Sequence, residues 1–314
     1  MLTFGPIPSR RLGRSLGINN IPPKICTYAC VYCQIGKTSH MKVEPQTFYP
    51  PDQIFAEVQE KINKSKEKGE TIDYLTFVPD GEPTLDINLG KEIKLIKSLG
   101  IKIAVISNSS LIDQKQVREN LKEVDLISLK VDSVEEEIWR KINRPHKKLH
   151  LDNILNGILE FARTFDGEII TETMLIQNIN DDSQHIERVA DFLARLNPGR
   201  AYLSMPIRPP AKRWVLAPSQ EVINQSYNIF KKRINQVEYL IGYEGNAFAF
   251  TGEVEEDILS ITSVHPMREE ALKDFLKRAK SDWSVILKLI NKGQLVEIEF
   301  EGNRFYLRKL SAKS

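Results

Sequence analysis

Apolar positions along the chain follow two periods. Behind Pro50 and Pro51, Ile54, Val58 and Ile62 recur every fourth residue, which predicts an amphipathic helix to about residue 68. Beyond it, short apolar runs at about 74–78, 102–106, 126–131, 168–176 and 201–204 read as strands. Stretches of helical period lie between them, at about 89–99, 114–121, 134–142, 151–164 and 183–196. A further strand-like piece covers residues 15–21. Repeated strand–helix order implies parallel strands joined by right-handed crossovers. The fold class is therefore α/β. Six such units fit a partial or full (β/α) barrel of the TIM type, and they also fit an open doubly wound sheet. In either architecture chemistry gathers at the carboxyl ends of the strands.

The pattern changes toward the C-terminus. A helix over about 218–233 is followed by residues 239–253, rich in glycine and aromatics, which read as a linker or a cover for the barrel. From residue 265 to 279 one helical face gathers Met267, Ala271, Leu272, Phe275, Leu276 and Ala279. Asp282 is placed to cap a second helix that stops at Gly293. Two strands, 295–300 and 304–310, flank Gly302-Asn303 as a two-residue hairpin turn. Two helices followed by a β-ribbon resemble a winged-helix domain. The expected organisation is a barrel over 1–235, a linking segment over 236–262 and a small winged-helix-like unit over 263–314.

Composition narrows the classes. The 314 residues include 44 Lys and Arg and 42 Asp and Glu, a formal charge of +2, which excludes a histone-like polybasic protein. No apolar run approaches the ~18 residues of a membrane helix. The N-terminus has no cleavable apolar leader. A cytoplasmic protein that does not cross the membrane is the expectation. Locally the balance differs: residues 265–314 hold 11 Lys and Arg against 7 Asp and Glu, a surplus of +4. A wing carrying Arg304, Arg308 and Lys309 suits phosphate contacts, or else is a solvated face of a protein-binding unit. Arg10, Arg11 and Arg14 form a second basic patch, lining the barrel or gripping a phosphate.

The three cysteines, Cys26, Cys30 and Cys33, all fall within eight residues. An odd, clustered set argues against a disulfide scaffold and for a soft metal. Zinc needs a fourth ligand, for which His40 is the local candidate. An iron–sulfur cubane on three thiolates leaves one iron open. The spacing Cys-x3-Cys-x2-Cys, with the aromatic Tyr32 just before the last cysteine, resembles the signature of the radical S-adenosylmethionine (SAM) superfamily. The resemblance covers roughly residues 4–240. It includes Gly-Pro-Ile-Pro-Ser-Arg-Arg-Leu-Gly-Arg-Ser-Leu-Gly near the start and Arg-Lys-Ile-Asn-Arg-Pro-His from Arg140 to His146. It points to the branch described as wybutosine-synthetase-like iron–sulfur oxidoreductases. The archaeal wybutosine enzyme carries a second cluster on three further cysteines. This chain has no spare cysteine, so a two-cluster mechanism does not carry over.

The resemblance implies a partial six-unit barrel and a 4Fe–4S cluster on Cys26, Cys30 and Cys33. It also implies SAM bound at the open iron and cleaved to a 5′-deoxyadenosyl radical. An electron would come from a low-potential donor such as flavodoxin or ferredoxin. Asp80-Gly81-Glu82 stands where the family has Gly-Gly-Glu, so Gly81 and Glu82 are expected at the SAM amino group, with Asp80 a departure. Ser107-Asn108-Ser109-Ser110 ends the third strand; Asn108 either bonds SAM or caps a helix. Lys130 and Asp132 share a strand face and contact cofactor or form an ion pair. Tyr32 completes the cofactor set. Glu172 lies in an apolar strand and needs a partner, either a ligand or a nearby Arg or Lys. Arg208 is a weaker substrate candidate, and His146, Glu172 and Tyr243 are general acid or base candidates. The expected substrate is an RNA, as in tRNA modification, or a peptide. The competing function is a metal- or redox-sensing nucleic-acid-binding protein without SAM turnover.

Overall fold

The computed structural model describes residues 2–38, 40–241 and 248–309. Strands β1 (Thr3–Ser9) and β2 (Gly13–Ile18) open the chain as an antiparallel hairpin. Two-residue strands β3 (Ile25–Cys26) and β4 (His40–Met41) bracket the cysteine loop. Helix α1 (Pro51–Glu67) leads to β5 (Tyr74–Phe77), α2 (Leu89–Lys97), β6 (Lys102–Ser107), α3 (Lys115–Leu121) and β7 (Leu126–Lys130). Then come α4 (Glu136–Asn143), α5 (Leu151–Ala162), β8 (Glu168–Met174), α6 (Ser183–Leu196), β9 (Arg200–Ser204), α7 (Gln220–Lys231) and β10 (Val237–Leu240). The main sheet runs β1-β2-β5-β6-β7-β8-β9-β10, parallel from β2 onward. It curls into a partial barrel of the TIM type, with the helices outside.

The strands run apolar on both faces because both are covered, by helices outside and by side chains inside. Leu75, Phe77, Ile103, Val105, Ile127 and Leu129 are fully buried against Ile93, Ile96 and Ile158. Each such side chain contributes ~1.5–3 kcal/mol relative to exposure. Polar signals set the helix starts: Asp182 accepts from His185 N at 3.0 Å and Ser219 from Val222 N at 3.3 Å. Helix α4 stops where Arg144 turns left-handed (φ 45°), just before Pro145.

Two strands escaped the pattern. β1 carries Pro6 and Pro8, which read as loop; a sheet edge tolerates them. β10 is four residues long and pairs with β9, so the sheet continues past the expected boundary at 235 to Leu240. The expected linker also contains a helix, α8 (Val254–Val264), that packs on β1. Its acidic first turn and Ser/Thr content hid its helical period. After it come β11 (Met267–Arg268), α9 (Glu269–Arg278), α10 (Ser284–Asn291), β12 (Leu295–Phe300) and β13 (Asn303–Arg308). The small sheet is ordered β11-β13-β12 and closes a second apolar cluster around Phe275, Leu272 and Ile261. The helix expected from residue 265 starts later, because Met267 and Arg268 pair with β13 instead. The hairpin turn is Glu301-Gly302, both at positive φ, with Phe300 paired to Asn303.

Candidate active site

The cysteine loop leaves the carboxyl end of β2 and is gripped from three sides. Lys24 N donates to Asp80 O (2.8 Å) and Glu82 N to Ile25 O (3.3 Å), tying the loop to the end of β5. A Cβ on Gly81 would lie 1.8 Å from Ile25 O, so only glycine permits this approach. On the opposite side the end of α4 receives the loop: Ala29 N donates to Asn143 O (3.0 Å) and Val31 N to Ile142 O (2.9 Å). His146 N returns a bond to Thr27 O (2.9 Å). The Asn-Arg-Pro-His phrase is thus a cradle for the loop. Lys42 N closes the third side on Cys26 O (3.1 Å).

All three thiols are free and half-buried. Asn108 Nδ2 points at Cys26 Sγ and Asn143 Nδ2 at Cys30 Sγ, each at 3.5 Å. Burial pushes the Cys26 thiol far up, with Cys30 next in effect. It pushes Cys30 up to about 12 and raises Cys33 as well. Amide donors aimed at sulfur suit thiolates, Lys24 and Lys130 draw the Cys33 thiol down in part, and an attached cationic centre would offset the remaining loss of solvent. The loop therefore fits an iron–sulfur cluster held by Cys26, Cys30 and Cys33. His40 is exposed on β4, where its backbone pairs with Ile25.

At the ends of β5 and β6 Glu82 organises the backbone. Its carboxylate, 1% exposed, accepts from Thr84 Oγ1 and Ser107 Oγ (2.7 Å each), Asn108 N (2.7 Å) and Thr84 N (3.2 Å). Burial raises its carboxyl, and these bonds oppose the shift. Glu82 thus holds the loop that aims Asn108, with three of the four bonds on Oε1 and one on Oε2. Asn108 also donates to Thr27 Oγ1 (2.8 Å), so it bonds the cysteine loop, while its Oδ1 accepts from Ser110 N (3.0 Å) in the turn after β6.

The third group surrounds Tyr32. Its hydroxyl donates to Asp132 Oδ2, which also accepts from Asn143 Nδ2 (2.7 Å), while Asp132 Oδ1 accepts from Met174 N (2.9 Å). Lys130 Nζ sits 4.8 Å above the Tyr32 ring and 3.1 Å from Glu172 Oε1. Glu172 also pairs with Arg11 and accepts from Ser204 Oγ (3.1 Å). Burial alone would raise its carboxyl; Lys130 and then Arg11 outweigh that and hold it at about 2. Glu172 is therefore an ion-pair hub and not a free base. Tyr32, Lys130, Glu172, Arg11 and Ser204 border a cavity of about 260 Å³, which Cys33, Arg10, Met174 and Arg208 also line.

Arg208 donates to Gln34 Oε1 (2.7 Å) and to His265 Nε2 (2.6 Å), and Gln34 Nε2 reaches Val264 O (3.0 Å). This chain of bonds links the cysteine loop to the C-terminal unit. His146 accepts from Lys148 N (3.3 Å) and takes no place in the cavity. Tyr243 lies outside the described residues. Sequence reasoning missed Thr27 and Gln34, because nothing local distinguishes an amide or hydroxyl that folding brings to the cysteines; Ser107 and Asn143 lay in phrases it singled out without assigning either side chain a partner.

The β12–β13 ribbon forms, and one of its three expected cations, Arg304, lies among acids. Register places Arg304 opposite Glu299, and Arg304 pairs with Glu269 (3.4 Å) and Glu297 (3.8 Å). Cross-strand acids thus offset the cation.

Comparisons with known proteins agree with this geometry. The family model described as the radical SAM superfamily matches residues 20–193. A UPF0026 protein of Methanocaldococcus jannaschii is 49% identical over 314 residues, 99% of this chain and 97% of its own length. A UPF0026 protein of Synechocystis is 36% identical over 208 residues, 66% of this chain and 76% of its own. A solved structure of TYW1 with a lysine-pyruvate adduct bound superposes with a TM-score of 0.54 at 20% identity, covering 70% of this chain and 74% of that one. The chain belongs to the radical SAM superfamily, in its UPF0026 branch.

Proposed function

We propose that Cys26, Cys30 and Cys33 hold a 4Fe–4S cluster at the floor of the Cys33 cavity, and that an RNA or peptide substrate loses a hydrogen atom there. The chain is a radical SAM enzyme, and its cofactors are a 4Fe–4S cluster and S-adenosylmethionine. When bound, they supply a 5′-deoxyadenosyl radical that abstracts hydrogen. The observation that carries the reading is the set of three free thiols in the loop after β2, with amide N–H groups on Cys26 and Cys30 and with Cys33 lining the Lys130–Glu172 cavity.

The chain's own residues supply the rest. Gly81 lets the strand end approach the loop, and Glu82 fixes the direction of Asn108. Lys130 and Tyr32 form one wall beside Cys33, while the Asp132–Asn143 pair locks the Tyr32 hydroxyl. Met174, Met205 and Ile207 keep the opposite wall apolar, which limits water near a reactive radical. A low-potential donor of the flavodoxin or ferredoxin kind is the matching electron source. Between the two substrate classes, the acids around Arg304 favour a peptide over RNA.

The test is anaerobic reconstitution of wild type and Cys33→Ala, reading iron content and 5′-deoxyadenosine together. Wild type is expected to form both; the variant should form neither. SAM cleavage retained in Cys33→Ala refutes the ligand assignment. A cellular RNA and peptide pool, screened by mass spectrometry, then separates the substrate classes.

A further inference from the structure

A second cavity, about 140 Å³, lies between the N-terminal edge of the barrel and the C-terminal unit. It shares no lining residue with the cavity beside Cys33. One wall carries Asp80 and Asn19, at the ends of β5 and β2. The other carries Ser260 and Ser263 from α8 and Arg308 from β13, with Tyr49 between the walls.

The polar groups facing this space are not satisfied by one another. Asp80 is 3% exposed, and its Oδ1 has no hydrogen-bond partner; the buried Asn19 Oδ1 has none either. Burial raises the Asp80 carboxyl to about 7, opposed by Lys24 and then by Arg308, and no ion pair within 4 Å joins Arg308 to it. A buried carboxylate and a buried carboxamide oxygen without donors are costly. The unpaired Asp80 carboxyl group suits an ammonium or similar donor, and the Arg308 guanidinium lining the same cavity suits an anion. Opposite charges held apart across a small space are complementary to a molecule that carries both. The volume is well below the ~300–1,000 Å³ usual for larger ligands, which leaves no room for a nucleotide.

We propose that this cavity binds a small α-amino acid as its zwitterion, with the ammonium on Asp80 and Asn19 and the carboxylate on Arg308. The hydroxyls of Tyr49, Ser260 and Ser263 complete the site. The assignment is independent of the SAM reading.

The test is anaerobic calorimetric titration of the full-length, cluster-loaded protein with each proteinogenic amino acid, then with the decarboxylated and deaminated analogues of any binder. Saturable binding at millimolar or lower concentration is expected for at least one amino acid and for neither analogue. Arg308→Met and Asp80→Asn should each weaken it ~10-fold or more, the scale of one lost charged hydrogen bond. Arg308→Met should leave SAM affinity unchanged, and it guards against Asp80→Asn failing to fold. No saturable binding by any amino acid means that the cavity holds water only, and the proposal falls. It falls equally if binding survives Arg308→Met, or if the binder competes with SAM and therefore occupies the other site.

Discussion

Single residues set how closely the cysteine loop is held. Gly81 is the clearest case, since any side chain there meets the carbonyl of Ile25, next to Cys26. Gly81→Ala should cost ~3 kcal/mol or more by overpacking against backbone that cannot yield. Thermal unfolding and iron content should fall together, and a variant with wild-type iron and melting temperature would show that the contact is slack. Glycine before Glu82 was legible as a site of close approach, but its partner was not. Glu82 shows the opposite limit. Its place in the motif was legible, whereas its four donors come from residues 84, 107 and 108 and exist only once β5 and β6 are side by side. Asn143 stood in a phrase the sequence marked, but its partners were not legible, because they depend on where α4 ends.

At the scale of elements, the parallel strands and their helices were readable because burial on both faces makes continuous apolar runs. The edges were not: β1 is held by its pairing with β2 despite two prolines, and β10 is short. Strand-end pairing also decides electrostatics. β7 and β8 set Lys130 against Glu172, and the loop between β1 and β2 adds Arg11. The folded carboxyl lies at about 2, below its ordinary 4.5, so the ionised form is favoured by folding. That contribution is complete above pH ~4.5 and is lost as pH falls through ~2. It amounts to about 3 kcal/mol near neutrality. Glu172→Gln should therefore lower stability at pH 7 and flatten its decline between pH ~4.5 and ~2. A pH–stability curve parallel to wild type across that window would mean that the Lys130–Glu172–Arg11 group is not formed.

At the scale of the molecule, the C-terminal unit is fastened to the barrel beside the cysteine loop. Asp257, 2% exposed on α8, accepts from Thr251 N (2.7 Å) and Oγ1 (2.6 Å) and from Lys61 Nζ of α1 (2.9 Å). Lys61→Met strands a buried carboxylate and should cost ~3–5 kcal/mol. Urea unfolding followed by tryptophan fluorescence should then split into two transitions, with Trp283 reporting the earlier one; one unchanged transition would contradict this fastening. No local pattern foretold the docking, since it joins residues about 190 positions apart. The helices and hairpin of the unit were legible, but the acids opposite Arg304 emerge only from strand register. The account rests most heavily on the three thiols sharing one cluster beside a SAM site. The most direct test is the electron paramagnetic resonance spectrum of anaerobically reconstituted, reduced protein, recorded with and without SAM. The account predicts a reduced 4Fe–4S signal that shifts when SAM is added and is missing in Cys33→Ala; a protein without iron, binding zinc through the same cysteines, would contradict it.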